Sequence, residues 1–97
     1  MFSRIRGTYF SDVEFHRLQL HLMEKPDAGD VIRGTGGARK IRWRGKGHGK
    51  RGGVRVIYYW ISRDNQILLL TAYAKNEAED LTEAARSAIK RLIQELE

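Results

Sequence analysis

The chain has 97 residues, no cysteine and a formal charge of +6, with 41% apolar and 31% charged residues. That size supports a single domain, residues 1–97, with a small core, and the composition is that of a soluble globule rather than a disordered segment. The missing cysteines exclude a disulfide framework and a thiolate metal site, and no apolar run approaches a membrane span.

The amino terminus, Met1-Phe2-Ser3-Arg4-Ile5-Arg6, has no continuous apolar run, so no secretory signal is expected and the expected setting is the cytoplasm. Ser11-Asp12-Val13-Glu14 then fits a helical capping box, with Phe10 and Phe15 at the two hydrophobic-staple positions. Phe15, Leu18 and Leu22 continue at helical spacing. Lys25-Pro26 ends the helix, because a residue before proline is pushed out of the α region. The ten residues ahead of the cap form either a short strand or a loose arm.

A connector follows through Asp27-Ala28-Gly29-Asp30, Val31-Ile32 and Gly34-Thr35-Gly36-Gly37. Residues 38–43 alternate like a strand, 44–53 form a loop with five glycines, and 54–62 are the clearest strand, rich in β-branched and aromatic residues. Residues 63–66 turn the chain into a third strand at 67–74. After a second connector, Thr82 caps a last helix whose apolar stripe is Ala85, Ala88, Ile89, Leu92, Ile93 and Leu96. The expected class is α+β, a small antiparallel sheet with helices packed on one face.

The charge is unevenly placed. Arg39, Lys40, Arg42, Arg44, Lys46, Lys50, Arg51 and Arg55 put eight cations and no acid between residues 39 and 55, which leaves the remainder at 6 minus 8, or −2. A charge run is often only a solvated face. Here its density, and the glycines between the cations, point to a polyanion partner, with Arg39, Arg44, Lys46, His48, Lys50 and Arg51 as the gripping set.

Strand register follows from the apolar positions. Leu68, Leu70, Ala72 and Ala74 should face the helices, as should Val54, Val56, Tyr58 and Trp60, together with Ile41 and Trp43. Lys40, Arg42, Arg55, Tyr73 and Lys75 then collect on the other face, where Ile57 and Ile61 sit uneasily among them. A slip of one residue would invert the assignment.

Competing chemistry is poorly supported. Gly47-His48-Gly49-Lys50-Arg51-Gly52 satisfies a dinucleotide-binding glycine pattern, but it opens a strand rather than a helix. His16, His21 and His48 lack metal-ligand spacing, so neither a metal nor another cofactor is expected. His48 either contacts phosphate, acts as an acid or is simply solvated. Trp43 reads as core, and Tyr73 as an RNA contact on the face opposite the leucines.

Several of these phrases resemble a known family. Gly29-Asp30-Val31-Ile32, Gly34-Thr35-Gly36-Gly37, Arg39-Lys40-Ile41-Arg42, the run from Gly49 to Tyr59 and Tyr73-Ala74-Lys75-Asn76-Glu77 are similar to the RelE superfamily of toxins, in its HigB-like branch. The resemblance runs from about Ser11 to the end. It implies a compact antiparallel sheet with helices, and the toxin half of a bacterial type II toxin–antitoxin pair. Such a toxin is an mRNA interferase that enters the ribosome, cleaves translated messenger RNA and so inhibits translation. The implied partners are the ribosome, messenger RNA and a helix-turn-helix, HigA-like antitoxin that binds the toxin in a hetero-oligomer; no membrane is implied.

By position, Lys40 and Arg42 match the family's two basic residues before the loop, and Arg55 matches the arginine opening the next strand. Asn76 and Leu81 stand where RelE carries an arginine and a tyrosine, which leaves stacking to Tyr73. The mechanism so implied is metal-independent attack of a ribose 2′-oxygen on the adjacent phosphate. Lys40 is the candidate base, because the positive charges of Arg42 and Arg55 favour its neutral amine by repulsion. Arg55 is the phosphate clamp, and Lys75 or Arg42 protonates the leaving 5′-oxygen. The alternatives are a non-catalytic RNA- or DNA-binding module and a degenerate toxin that retains only antitoxin binding.

Overall fold

The computed structural model describes residues 10–43, 53–74 and 80–96. The first helix, α1 (Asp12–Glu24), starts as its sequence predicts: the Ser11 hydroxyl accepts the Glu14 N–H at 3.2 Å, and the Phe10 and Phe15 rings lie 6.2 Å apart. The helix stops at Lys25, whose N–H bonds back to the His21 carbonyl. Four strands follow, β1 (Asp30–Val31), β2 (Arg39–Trp43), β3 (Val54–Ile61) and β4 (Gln66–Ala74), then α2 (Glu83–Leu96). The strands form one antiparallel meander in chain order.

β1 is a strand where the sequence suggests only connector, because two residues carry too little pattern to read. Its hairpin to β2 is built from the Gly34-Thr35-Gly36-Gly37 phrase, where Gly34, Gly36 and Gly37 all take positive φ. The buried Thr35 hydroxyl ties the turn together. It donates to the Ile32 carbonyl at 2.7 Å and accepts the Ala38 N–H at 3.0 Å.

The α+β class and the small antiparallel sheet are as expected, but the helices divide between the two sheet faces instead of sharing one. On the first face Leu18 and Leu22 of α1 pack with Val54, Val56, Tyr58, Ala72 and Ala74. On the second, Ile89 and Ile93 of α2 pack with Ile57, Ile32 and Ala38. β3 is therefore sandwiched, and Ile57 and Tyr58, adjacent in sequence and opposite in direction, are both fully buried. This resolves the awkward placement of Ile57, because α2 covers it.

A β-bulge corrects the expected face of β4. Ile57 pairs with Thr71 and Tyr58 with Leu69, so Leu70 is an extra residue that reverses the alternation beyond it. Ala72 and Ala74 stay with α1, joined by Ile67 and Leu69, while Leu70 turns to the α2 side with Tyr73. At the far end of α2, Arg63 from the β3–β4 turn donates to the Leu96 carbonyl at 3.1 Å. That places a cation on the carbonyl end of a helix with no basic residue in its own last turn.

The α1–β1 connector is fixed by one hydroxyl. Tyr58 accepts the Gly29 N–H at 2.8 Å and donates to the Pro26 carbonyl at 2.7 Å. Gly29 cannot carry a side chain here, since a Cβ would lie 2.8 Å from the Lys40 carbonyl oxygen. Burial pushes the Tyr58 hydroxyl above its ordinary 10.0, partly offset by the Gly29 N–H. Tyr58→Phe should cost about 1–3 kcal/mol in urea unfolding, by leaving buried backbone groups unpaired. The raised pKa favours the neutral phenol, so its contribution persists below pH 10.0 and fades as pH rises through the folded value. Mutant and wild type should accordingly converge in strong alkali.

Candidate nucleic-acid interface

The register of the three longer strands builds a transverse row. Arg42 of β2 stands opposite Arg55 of β3, and Arg55 stands opposite Tyr73 of β4. Lys40 starts the neighbouring row, opposite Ile57 and then Thr71. Four of the residues expected to share a face, Lys40, Arg42, Arg55 and Tyr73, are thus brought together on the α2 side of the sheet. The fifth, Lys75, lies outside the described residues, as do Arg44, Lys46, His48, Lys50 and Arg51. A strand ahead of Ser11 would also fall on residues outside the description.

Arg39 has a different position. It is one residue out of phase with Lys40, and its guanidinium reaches the Gly29 carbonyl at 2.8 Å and the Asp27 carbonyl at 3.4 Å. It fastens the connector on the first face and is not part of the row. Trp43, also on that face, packs against the first core cluster, donates to the Glu14 carbonyl at 3.3 Å and sits 5.1 Å from the His21 ring. Its sequence reading as core is supported.

Gly53 supports Arg42 from the entrance to β3. Its φ is +61°, and a Cβ there would stand 3.2 Å from Arg42 Cγ and 3.4 Å from the Trp43 carbonyl oxygen. The last glycine of the rich loop therefore lets the backbone pass close beneath the Arg42 stem.

Two residues of the site had not been singled out from sequence. Asp80 lies with Oδ1 3.6 Å from Lys40 Nζ and Oδ2 2.7 Å from Arg86 Nη2. Asp80 Oδ1 also accepts the Leu81 N–H at 2.8 Å, just ahead of Thr82, whose hydroxyl caps α2 through the Ala85 N–H at 3.1 Å. No local spacing announces a contact between residues 40 and 80. Arg86 carried a weak signal, because positions 86, 89 and 93 share one helical face and an arginine among buried isoleucines needs a partner.

Tyr73 is half-buried, with its hydroxyl and Arg86 Nε both enclosed and without an acceptor among the described residues. Burial raises the Tyr73 hydroxyl above 10.0 and Asp80 adds to this, while Arg55 and Arg86 pull the other way. The phenol therefore keeps its proton at neutral pH and has an O–H to offer. Asp80 moves in the opposite direction: the Leu81 N–H holds its carboxyl below 3.8, desolvation opposes it, and Lys40 and Arg86 add to the lowering. It is a fixed negative charge at neutral pH.

Among the described residues no group of histidines and carboxylates could hold a metal ion, and no helix is long and apolar enough to cross a membrane. A groove of about 310 Å³ lies between α1 and β4, lined by Gln19, Leu22, Met23, Asn65, Ile67 and Leu69. It belongs to the α1 side and carries no titratable group, so the chemistry-bearing cluster is elsewhere. No family model matches the chain.

Like charges directly opposite on adjacent strands are destabilising by roughly 0.2–1 kcal/mol. Arg42→Thr should therefore raise stability by about that amount in urea unfolding at low salt, with the gain shrinking as salt screens the repulsion. Asp80→Asn should do the reverse, losing at most about 1 kcal/mol because the pairs are solvent-screened. Asp80's lowered pKa means that its contribution is complete above pH 3.8 and is lost as pH falls through the folded value. Acid titration should erase the difference between Asp80→Asn and the wild type.

Proposed function

We propose that this chain is a RelE-type mRNA interferase of the HigB-like branch, an endoribonuclease that cuts translated messenger RNA and is held in check by a helix-turn-helix antitoxin. The observation that carries this reading is the facing pair Arg42 and Arg55, with Lys40 beside it and Tyr73 completing the row. Such a row offers an anion several cations at strand spacing, and a single RNA strand supplies one phosphate after another. The family resemblance supplies the further step from holding RNA to cutting it.

In this mechanism the 2′-oxygen attacks the adjacent phosphorus and the 5′-oxygen leaves. Lys40 takes the 2′ proton, and Arg55 offers its fork to two phosphate oxygens as negative charge builds on them. Arg42 or Lys75 returns a proton to the leaving oxygen. The enclosed hydroxyl of Tyr73 suits it to hydrogen bonding beside Arg55 more than to stacking on a base. Neither a metal nor a cofactor enters the scheme.

Lys40→Ala should slow cleavage of ribosome-bound message by roughly 10²- to 10⁴-fold, the usual contribution of a general base. The measurement is induced expression followed by mapping of messenger 5′ ends. Growth arrest with cuts in phase with codons supports the toxin. Absence of both effects would favour a module that binds nucleic acid or antitoxin without cutting, and undiminished cleavage by Lys40→Ala would remove Lys40 from the role.

A further inference from the structure

The mechanism above uses Lys40, Arg42, Arg55 and Tyr73, but it leaves Asp80 and Arg86 without a task. They are not remote from it. One carboxylate reaches Lys40 Nζ on β2 through Oδ1 and Arg86 Nη2 on α2 through Oδ2, at 3.6 and 2.7 Å. The two cations are thus spaced so that a single two-oxygen anion spans them. The rest of the surroundings offers donors: the Tyr73 hydroxyl and Arg86 Nε are both without an acceptor among the described residues.

We propose that Lys40 and Arg86 are the two halves of a phosphate site for single-stranded RNA, which the Asp80 carboxylate fills until a phosphodiester displaces it. The proposal rests on the reading of this face as an RNA surface, and it extends that surface from the sheet onto α2. It uses Lys40 as an ammonium, a role separate from the base assigned to it above, and is independent of whether the RNA is then cut. A phosphodiester and a carboxylate each carry one negative charge and two exposed acceptor oxygens, so the exchange keeps both the charge and the geometry of the cation pair.

The Lys40 end of the bridge, at 3.6 Å against 2.7 Å for Arg86, is the one that yields first. The Lys40 and Asp80 side chains are 33% and 47% exposed, and ion pairs in that range contribute little because water screens them. Asp80 sits ahead of the Thr82 cap and outside α2, so its side chain can turn away without unwinding the helix. Arg86, by contrast, rises from the same helical face as the buried Ile89 and Ile93, with its Nε enclosed. The cations stand on packed elements, whereas the carboxylate lies ahead of the helix and is held by the Leu81 N–H and Arg86.

The test is binding of a 2′-O-methyl oligoribonucleotide, which cannot be cleaved, measured by fluorescence anisotropy across a salt series. Asp80→Asn should bind about fivefold tighter at low salt, the equivalent of one screened ion pair released. Its slope of log affinity against log salt should steepen by about 0.7, because cations no longer neutralised by Asp80 release a counterion of their own when the phosphate arrives. Adding Arg86→Ala to Asp80→Asn should return both quantities to wild-type values. Asp80→Ser, which keeps an acceptor for the Leu81 N–H, provides the same measurement if the asparagine variant folds poorly.

Several outcomes overturn the proposal: unchanged or weaker binding by both Asp80 variants, a gain that survives Arg86→Ala, or an equal gain from Glu83→Gln, which would reduce the effect to net charge. Wild-type binding that Arg42→Ala weakens, with no response at Asp80, sinks this inference and leaves the RNA face standing. Binding indifferent to Arg42→Ala and Arg55→Ala sinks the RNA face itself.

Discussion

The register between β2 and β3 is the constraint from which the rest of the molecule follows. Trp43 faces Val54, Arg42 faces Arg55 and Ile41 faces Val56. Burying a side chain such as valine is worth about 1.5–3 kcal/mol, whereas two arginines placed opposite each other cost under about 1 kcal/mol. With Val54 and Val56 both fully buried on the α1 side, hydrophobic burial decides the pairing. A one-residue slip would send Arg55 into that core and leave the valines out. The cationic row is therefore what the opposite face must carry once the core has chosen its side.

That opposite face is divided rather than uniform. α2 lays Ile89 and Ile93 over Ile57, so one part of the face is ordinary core. Lys40, Arg42 and Arg55 occupy what the helix leaves uncovered, and Tyr73 sits at the boundary with its ring against the core and its hydroxyl beside the charges. The bulge at Leu70 makes this boundary possible. By reversing the alternation of β4 it gives Leu70 and Tyr73 to the α2 side while Leu69 and Ile67 join the α1 core. Residues on packed strands are held more closely than residues on a loop, which suits Lys40, Arg42 and Arg55 to positioning a reacting phosphate.

Much of this was legible in the sequence, and what was missed shares a physical cause. The N-cap at Ser11, the staple of Phe10 and Phe15, the Thr82 cap and the alternation of Val54, Val56 and Tyr58 are local signals, and each appears in the fold. The choice of face for Lys40, Arg42, Arg55 and Tyr73 followed from the same alternation. A bulge breaks alternation without leaving a mark in composition, so the faces of Leu68 and Leu70 were read wrongly beside a correct reading of Ala72 and Ala74. Strand β1 was too short to show a period. The division of the helices between two faces depends on which side each connector crosses, and Asp80 meets Lys40 only because β2 and the entry to α2 converge in space.

The meeting of Asp80 with Lys40 and Arg86 also bears on how a chain with such a face can fold before it has a ligand. Arg42 and Arg55 repel, and each further cation on the same surface adds to the strain that a compact state must bear. A carboxylate fixed by the Leu81 N–H, and ionised because its pKa is held low, offsets two of those cations at the edge of the row. Its exposure keeps the offset small, which matters as much as its sign. A strongly bound, buried carboxylate would close the site to any other anion, and an absent one would leave Lys40 and Arg86 without this counter-charge. An exposed ion pair lies between these limits, contributing enough to temper repulsion in the free chain and little enough for an RNA phosphate to replace it.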